Sequence, residues 1–161
     1  MSHFISKNAR YEMRNEIELI IKTNQINRKL FYEVSKFEYK SILKKIYYSF
    51  CDYKTYPVIQ TTTYMWTRLR KELNQTKLIH TNWKDWTSYI DKIDQLIPPQ
   101  SQDKYYFISD GSWLYEGTLD GIKQILYHYP VFMDDFYICA KDYSWLIIHC
   151  EDGGCMFRIN Q

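Results

Sequence analysis

The chain has 161 residues, a length that can bury a hydrophobic core without disulfide or metal support. Its hydrophobic content of 45% and charged content of 25% are typical of a folded globular protein and exclude wholesale disorder. The net charge of +2 is uneven: residues 1–98 hold 17 Lys and Arg against 10 Asp and Glu, whereas residues 99–161 hold 4 against 9.

Charged residues interrupt the first twenty positions, so the sequence shows no apolar signal-peptide segment. No stretch approaches the roughly 18 apolar residues that a membrane-spanning helix needs. We therefore expect a cytoplasmic protein without a membrane span. In that compartment the 4 cysteines are expected to be free thiols rather than a disulfide framework.

The first two-thirds of the chain are predicted to be mostly helical, because all 5 glycines lie in the last third. Apolar side chains recur at helical spacing in three segments, residues 11–23, 36–52 and about 83–96. Pro98 and Pro99 end the third helix. Residues 58–66 are rich in β-branched and aromatic side chains and predict a strand.

After the two prolines the pattern changes to short strands. Asp110-Gly111 is a strong signal for a two-residue hairpin turn, and Thr118 can cap a short helix that follows it. The predicted strands are residues 105–109, 112–116, 136–140, 144–150 and 155–159. Taken together, the elements predict an α+β protein in which N-terminal helices pack on one face of a mostly antiparallel C-terminal sheet, in the order ββαβββ. We expect a single domain over residues 1–161, helical to about residue 98 and sheet-forming from about residue 99.

Two cysteines flank the last predicted hairpin, and a histidine precedes the first of them. Cys150 and Cys155 are expected to be cross-strand neighbours, while His149, adjacent to Cys150 on the same strand, points to the opposite face. A pair of buried or half-buried free thiols is the favoured interpretation; a metal site and a redox pair are alternatives. A nucleophilic role is disfavoured because Glu151 and Asp152 would raise the pKa of the Cys150 thiol. No metal site and no cofactor are predicted.

Carboxylates of the C-terminal part are predicted at strand ends and in loops. They form either a solvated acidic rim or an acidic face that binds a basic partner. On the second interpretation, we expect the partner-binding residues to be Asp134, Asp135, Asp142, Glu151 and Asp152, with Tyr137 as an exposed aromatic anchor.

Basic residues of the N-terminal part form two short runs. The first run is Lys40, Lys44 and Lys45, and the second is Arg68, Arg70 and Lys71. Either run could contact phosphates next to a stacking Tyr or Trp. Each run is short and interleaved with Glu, so a solvated surface is the favoured interpretation and nucleic-acid binding is the less favoured one.

Several stretches of the last third resemble a known family. WLYEG (113–117), DDFYICAKDYSWLIIHCED (134–152) and, before them, YIDKIDQLIPP (89–99) are similar to a pattern found in small, uncharacterised bacterial cytoplasmic domains. The similarity covers about residues 66–158. The layout is also similar to immunity proteins of contact-dependent and polymorphic toxin systems, which are small α+β proteins of the cytoplasm.

One departure from this family pattern bears on chemistry. Where the pattern has a His-His pair, this chain has Gly153-Gly154, so chemistry based on those histidines is absent here. The leading hypothesis is an immunity protein, not an enzyme, that occludes the active site of a cognate toxin, expected to be a basic nuclease domain. It rests on the acidic, Tyr-rich C-terminal part, which contains no catalytic constellation, and on the similar layout of immunity proteins. The alternatives are a nucleic-acid-associated protein that uses the basic helices and a metal-dependent hydrolase built on the strand-end carboxylates.

Overall fold

The computed structural model describes residues 7–57, 65–80, 86–99, 101–109, 112–128, 135–150 and 154–161. Its helices are α1 (Lys7–Thr23), α2 (Lys36–Phe50), α3 (Trp86–Lys92) and α4 (Leu119–Tyr127). Its strands are β1 (Phe31–Glu33), β2 (Asn74–His80), β3 (Tyr105–Ser109), β4 (Trp113–Gly117), β5 (Phe136–Ala140), β6 (Trp145–Cys150) and β7 (Cys155–Asn160). Met65–Arg68 and Ile93–Gln95 form single turns of 3₁₀ helix.

The strands form one sheet in the order β1-β4-β3-β5-β6-β7-β2, and every neighbouring pair is antiparallel. The α+β class is therefore confirmed. The predicted C-terminal strands are all present, but the predicted order is incomplete. Two strands from the part expected to be helical, β1 and β2, extend the sheet at its two edges.

Neither edge strand was expected from its sequence. β1 has only 3 residues, too few for a clear pattern. β2 is polar and largely exposed because it lies at the edge of the sheet. The strand predicted over residues 58–66 falls mostly outside the described residues. Its last two positions, Met65 and Trp66, lie in the 3₁₀ turn, so that part of the prediction is wrong.

Helices cover both faces of the sheet, which corrects the prediction that they cover one. α1, α3 and α4 pack on the first face, where their apolar side chains meet residues such as Phe107, Tyr115 and Ile147. α2 packs on the second face against Ile108, Leu114 and others. The physical reason is that β3, β5 and β6 are buried at every position, so both faces of the central strands need an apolar cover.

The capping prediction for α4 is confirmed. The hydroxyl of Thr118 accepts a hydrogen bond of 3.0 Å from the backbone nitrogen of Gly121, which satisfies one of the free N–H groups at the helix start. The backbone nitrogen of Thr118 in turn donates to the carbonyl oxygen of Leu30 at 2.9 Å. The start of α4 and the segment before β1 are therefore joined by backbone hydrogen bonding.

Candidate binding surface

Glu116 and Lys141, which lie in the stretches that resemble the known family, form an ion pair on the second face of the sheet. The Nζ atom of Lys141 lies 2.7 Å from the Oε1 atom of Glu116, whose side chain is 12% exposed. Lys141 belongs to the turn between β5 and β6, and its backbone nitrogen donates to the side chain of Gln102. The pair therefore joins β4 to that turn across the intervening strand β3.

Tyrosines flank this ion pair on both sides. Tyr32 and Tyr106 are the register partners of Glu116 on the two neighbouring strands. Burial, followed by the hydrogen bond to Glu116, raises the pKa of Tyr32 to about 12. The ring of Tyr143 stacks on that of Tyr106, with 6.2 Å between centroids. The polar groups of Glu116 and Lys141 are therefore occupied by contacts within the protein.

A second polar network joins α1, β1 and α2. The guanidinium of Arg14 donates two hydrogen bonds, of 2.7 and 3.1 Å, to Oε2 of Glu33, and the hydroxyl of Tyr39 donates to Oε1 at 2.7 Å. Burial by itself would raise the pKa of Glu33, but the hydrogen bonds from Arg14 and Tyr39 outweigh it and hold the pKa below its usual value. Arg14 also lies over the Trp113 ring, 6.0 Å from its centroid.

The thiols follow the sequence-based expectation. Cys150 and Cys155 are direct register partners, and the structure contains them as free cysteines. His149 is buried on the other face of the strand, where its ring stacks on Phe136 with centroids 4.8 Å apart. Burial raises the pKa of Cys51 to about 12 and that of Cys139 well above its usual value, so neither thiol is ionised at neutral pH.

The expected acidic docking rim is not assembled by the described residues. Asp135 is buried, and its Oδ2 atom accepts a hydrogen bond of 2.8 Å from the indole nitrogen of Trp66. Tyr137 is 1% exposed, so the prediction that it is an exposed anchor is wrong. Asp142 is exposed, but its carboxylate accepts hydrogen bonds from the backbone and hydroxyl of Ser144. The other three predicted rim residues, Asp134, Glu151 and Asp152, lie outside the described residues.

A different surface carries exposed aromatic side chains. Phe37 is 99% exposed in the first turn of α2, and Tyr48, Tyr53 and Tyr56 are between 40% and 44% exposed near its end. We call this region the α2 surface and define it by two sets of residues, the aromatic Phe37, Tyr48, Tyr53 and Tyr56 and the basic Lys40, Lys44, Lys54, Arg68, Arg70 and Lys71. Both basic runs found in the sequence contribute to it.

Local contacts hold the tyrosine end of the α2 surface in place. The hydroxyl of Tyr47 donates to the carbonyl oxygen of Tyr56 at 2.6 Å, and Asp52 accepts hydrogen bonds from the backbone and hydroxyl of Thr55. The Tyr53 ring meets the Tyr48 ring edge-on with centroids 5.1 Å apart. The segment after α2 is therefore folded against the helix end.

The second basic run lies beside the C-terminal end of α2, where backbone hydrogen bonds hold it. Arg70 donates from its backbone nitrogen to the carbonyl oxygen of Phe50 at 2.9 Å and from its guanidinium to that of Ser49 at 2.6 Å. Arg68 lies over the Tyr56 ring, 5.9 Å from the centroid. Local sequence patterns could not predict that the two basic runs lie close together, because the pairing joins segments about 20 residues apart.

A shallow cleft opens beside these residues. Its volume is about 410 Å³, and the lining residues are Asp52, Tyr53, Lys54, Arg70, Lys71 and Glu72. The carboxylate of Asp52 is hydrogen-bonded to Thr55, and that of Glu72 lies 3.6 Å from Arg70. The basic side chains Lys54 and Lys71 are exposed at its rim, which makes the cleft suitable for an anionic group.

Phe37 was not predicted as a site residue, although the helical pattern of α2 already places it away from the apolar stripe. The apolar stripe of α2 runs through Ile42, Ile46 and Phe50, all of which are buried. Phe37 lies off that stripe and on the same side as Lys40 and Lys44. A large exposed apolar side chain indicates an interaction surface where it belongs to a larger exposed apolar or aromatic patch.

Among the residues that the structure describes, no group of three or more His, Cys, Asp or Glu side chains converges as metal ligands. Within the described ranges, no helix has the length and apolar character needed to cross a membrane.

Fold and surface together define a three-layer α+β protein that exposes an aromatic and basic helix face. The model of a family of unknown function, DUF6756, matches residues 9–161, and the chain belongs to that family. A search of curated proteins finds no match.

Proposed function

We propose that this protein is an immunity protein that binds and neutralises a cognate bacterial toxin of a contact-dependent or polymorphic toxin system. It would act in the cytoplasm by covering the active site of the toxin. The observation that carries the proposal is the α2 surface, on which Phe37 and three tyrosines are exposed to solvent. Aromatic side chains and Arg are enriched at protein interfaces relative to the rest of the protein surface.

The energetics of Phe37 support a protein partner. Burying a Phe side chain that is fully exposed stabilises a complex by about 1.5–3 kcal/mol. Leaving it in water on an isolated helix face contributes nothing to folding, because the side chain is 99% exposed. A partner with an apolar pocket would recover this free energy on binding.

Polar groups elsewhere support binding rather than catalysis as the proposed role. Glu116 and Lys141 pair with each other, and Glu33 is held by Arg14 and Tyr39. Each of these groups is used in joining elements of the fold. We therefore propose that the protein is not an enzyme and that it acts without a cofactor.

Co-expression with the protein encoded by the neighbouring gene tests this function. We expect that protein to arrest growth when it is expressed alone, and growth to recover when the present chain is co-expressed. The two proteins should also co-purify as a complex at a fixed ratio. Continued growth arrest in the presence of this chain would contradict the proposal.

Binding of single-stranded nucleic acid is the second candidate function. The specific observation in its favour is that Lys54, Arg70 and Lys71 line a cleft next to the exposed ring of Tyr53. Aromatic platforms beside a basic groove bind single strands with little sequence preference and with steep salt dependence. A fluorescence anisotropy titration with an oligonucleotide of about 16 residues tests this candidate. Absence of binding at low salt would contradict it.

A further inference from the structure

We infer that the α2 surface is the side of the protein that contacts the toxin, and that the toxin presents acidic side chains around an apolar pocket that receives Phe37. This inference rests on the proposed function, which it makes more specific. It differs from the expectation drawn from the sequence, in which an acidic rim of this protein met a basic nuclease domain.

Charge is the first argument. The segments that build the α2 surface, residues 36–57 and 65–72, hold 8 Lys and Arg against 3 Asp and Glu. Two of those three carboxylates are already engaged, because Asp52 is hydrogen-bonded to Thr55 and Glu72 lies 3.6 Å from Arg70. The surface therefore presents a net positive charge, which complements an acidic partner and speeds the encounter with it.

The spacing along α2 is the second argument. Phe37, Lys44 and Tyr48 lie on one side of the helix, since residues seven and eleven apart come within about 20° of the same direction at 100° per residue. At a rise of 1.5 Å per residue, Phe37 and Tyr48 are about 16 Å apart along the helix axis. That length is suited to one continuous contact, with an aromatic residue at each end and Lys40 and Lys44 between them.

Rigidity is the third argument. The ring of Tyr48 meets those of Tyr47 and Tyr53 edge-on, at 6.4 and 5.1 Å between centroids, while Lys44 lies 5.6 Å from its centroid. A ring held by such contacts loses little conformational freedom when a partner covers it. The tyrosine end of the surface is therefore prepared for binding before the partner arrives.

The cleft beside Tyr53 adds a place for a carboxylate. Lys54 and Lys71 stand at its rim and Arg70 lies within it, so an Asp or Glu side chain of the toxin would meet several donors there. Phe37 at one end and this cleft at the other give the surface one apolar and one charged contact point. That combination selects an acidic protein surface with an apolar pocket.

Two exposed apolar residues elsewhere, Leu19 and Leu78, are less suited to this role. Leu19 on α1 is 56% exposed, but α1 packs on the opposite face of the sheet from α2. Leu78 lies in β2 at a register irregularity, next to Lys77 with a positive φ of 45°. The bulge and the lysine at that edge disfavour addition of another strand.

Affinity measurements with matched variants test the inference. The probe is the purified protein encoded by the neighbouring gene, and binding is measured by calorimetry at low and high salt. The test variants are Phe37→Ala, Lys40→Glu and Lys71→Glu. The controls, Leu19→Ala and Lys22→Glu, change an exposed apolar residue and an exposed lysine of α1, on the other side of the molecule. A thermal melt of each variant verifies that it folds, as expected for changes at exposed positions.

We expect Phe37→Ala to weaken binding by about 10- to 100-fold at both salt concentrations. Each lysine reversal should weaken binding by about 5- to 10-fold at low salt, and the loss should shrink at high salt because the charges are screened. The two controls should bind within about 2-fold of the unchanged protein, as expected for residues outside an interface.

The experimental outcomes distinguish failure of this inference from failure of the proposed function on which it rests. If the neighbouring protein binds and is neutralised, but the α2 variants bind as well as the controls, the inference is overturned and the immunity function stands. Equal weakening by test and control variants would overturn it as well. If the unchanged protein neither binds nor neutralises the probe, the proposed function fails and the inference fails with it. Should an oligonucleotide bind instead, with a loss on Lys71→Glu, the surface belongs to the second candidate function.

Discussion

Gly121 lies directly against the carbonyl group of Leu30, so closely that an added Cβ atom would overlap its oxygen and carbon atoms. The same carbonyl oxygen would lie 2.7 Å from a Cβ atom at Gly117. Both positions need glycine because backbone atoms, which cannot move aside as a flexible side chain can, occupy the space. The segment before β1 therefore depends on two glycines that lie about 90 residues further along the chain.

Replacing Gly121 with Ala should destabilise the protein by about 1–3 kcal/mol, the usual cost of overpacking. This sign is opposite to the general effect of Gly→Ala inside a helix, which stabilises by roughly 1 kcal/mol. Thermal unfolding measures the change, with Gln124→Ala in the same helix as the control. A melting temperature at or above that of the unchanged protein would contradict the packing seen here.

Removing the cation from the Glu116–Lys141 pair should destabilise the fold. In Lys141→Met, the carboxylate of Glu116, with a side chain 12% exposed, loses the ammonium that lies 2.7 Å away. The expected cost is about 1.5–3 kcal/mol, the range for a hydrogen bond to a charged group. Urea unfolding measures it, and Lys22→Met on the exposed side of α1 is the matched control. Equal stability of the two variants would show that the pair contributes nothing.

Loss of the Glu33 carboxylate should change how stability depends on pH. The folded-state pKa of Glu33 lies below its usual value, so its contribution is fully present above the unfolded-state pKa of about 4.5 and is lost as the pH falls through the folded-state pKa. The stability difference between the unchanged protein and Glu33→Gln should therefore be largest near neutral pH, about 1–3 kcal/mol. It should shrink below about pH 5.

Urea unfolding at several pH values checks this profile. Glu72→Gln is a suitable control, because the Glu72 side chain is 69% exposed and its change should stay within about 0.5 kcal/mol at every pH. A difference for Glu33→Gln that stays constant down to acid pH would argue against the lowered pKa.

The four thiols should react with an alkylating reagent in a definite order. Cys155 is half-buried, whereas Cys51, Cys139 and Cys150 are buried. Because burial raises the pKa of Cys51 to about 12, and that of Cys139 well above its usual value, both thiols lack the reactive thiolate as well as access. Peptide mapping after brief iodoacetamide treatment should find Cys155 labelled first. Labelling of all four at one rate in the folded protein would contradict this order.

Local patterns in the sequence were sufficient to predict most of the helices and the C-terminal strands. The helical spacing of apolar residues over residues 11–23 predicted an amphipathic helix, and Ile17, Ile20 and Ile21 of that segment are buried in α1. Thr118 predicted the start of α4 in the same way, because a cap depends on residues within one turn of the helix. The pairing of Cys150 with Cys155 followed from the short hairpin between them.

Burial of individual polar residues was harder to predict. Asp135 and Tyr137 were expected on the surface, but both are covered, with Trp66 donating hydrogen bonds to each. Trp66 lies about 70 residues earlier in the chain, and a local pattern carries no information about such a contact. The candidate binding surface could not be predicted for the same reason. It joins α2 to the second basic run through the pairing of Cys51 with Leu69.

The sequence by itself determined the α+β class, the amphipathic helices and the positions of the C-terminal strands along the chain, because hydrophobic periodicity and turn residues act over a few positions. Only the tertiary structure decided which strands form the sheet edges, that helices cover both of its faces, and which aromatic and charged residues remain exposed. Those outcomes depend on contacts between distant segments. Their free energy arises when apolar faces meet and exclude water, which no short stretch of sequence specifies alone.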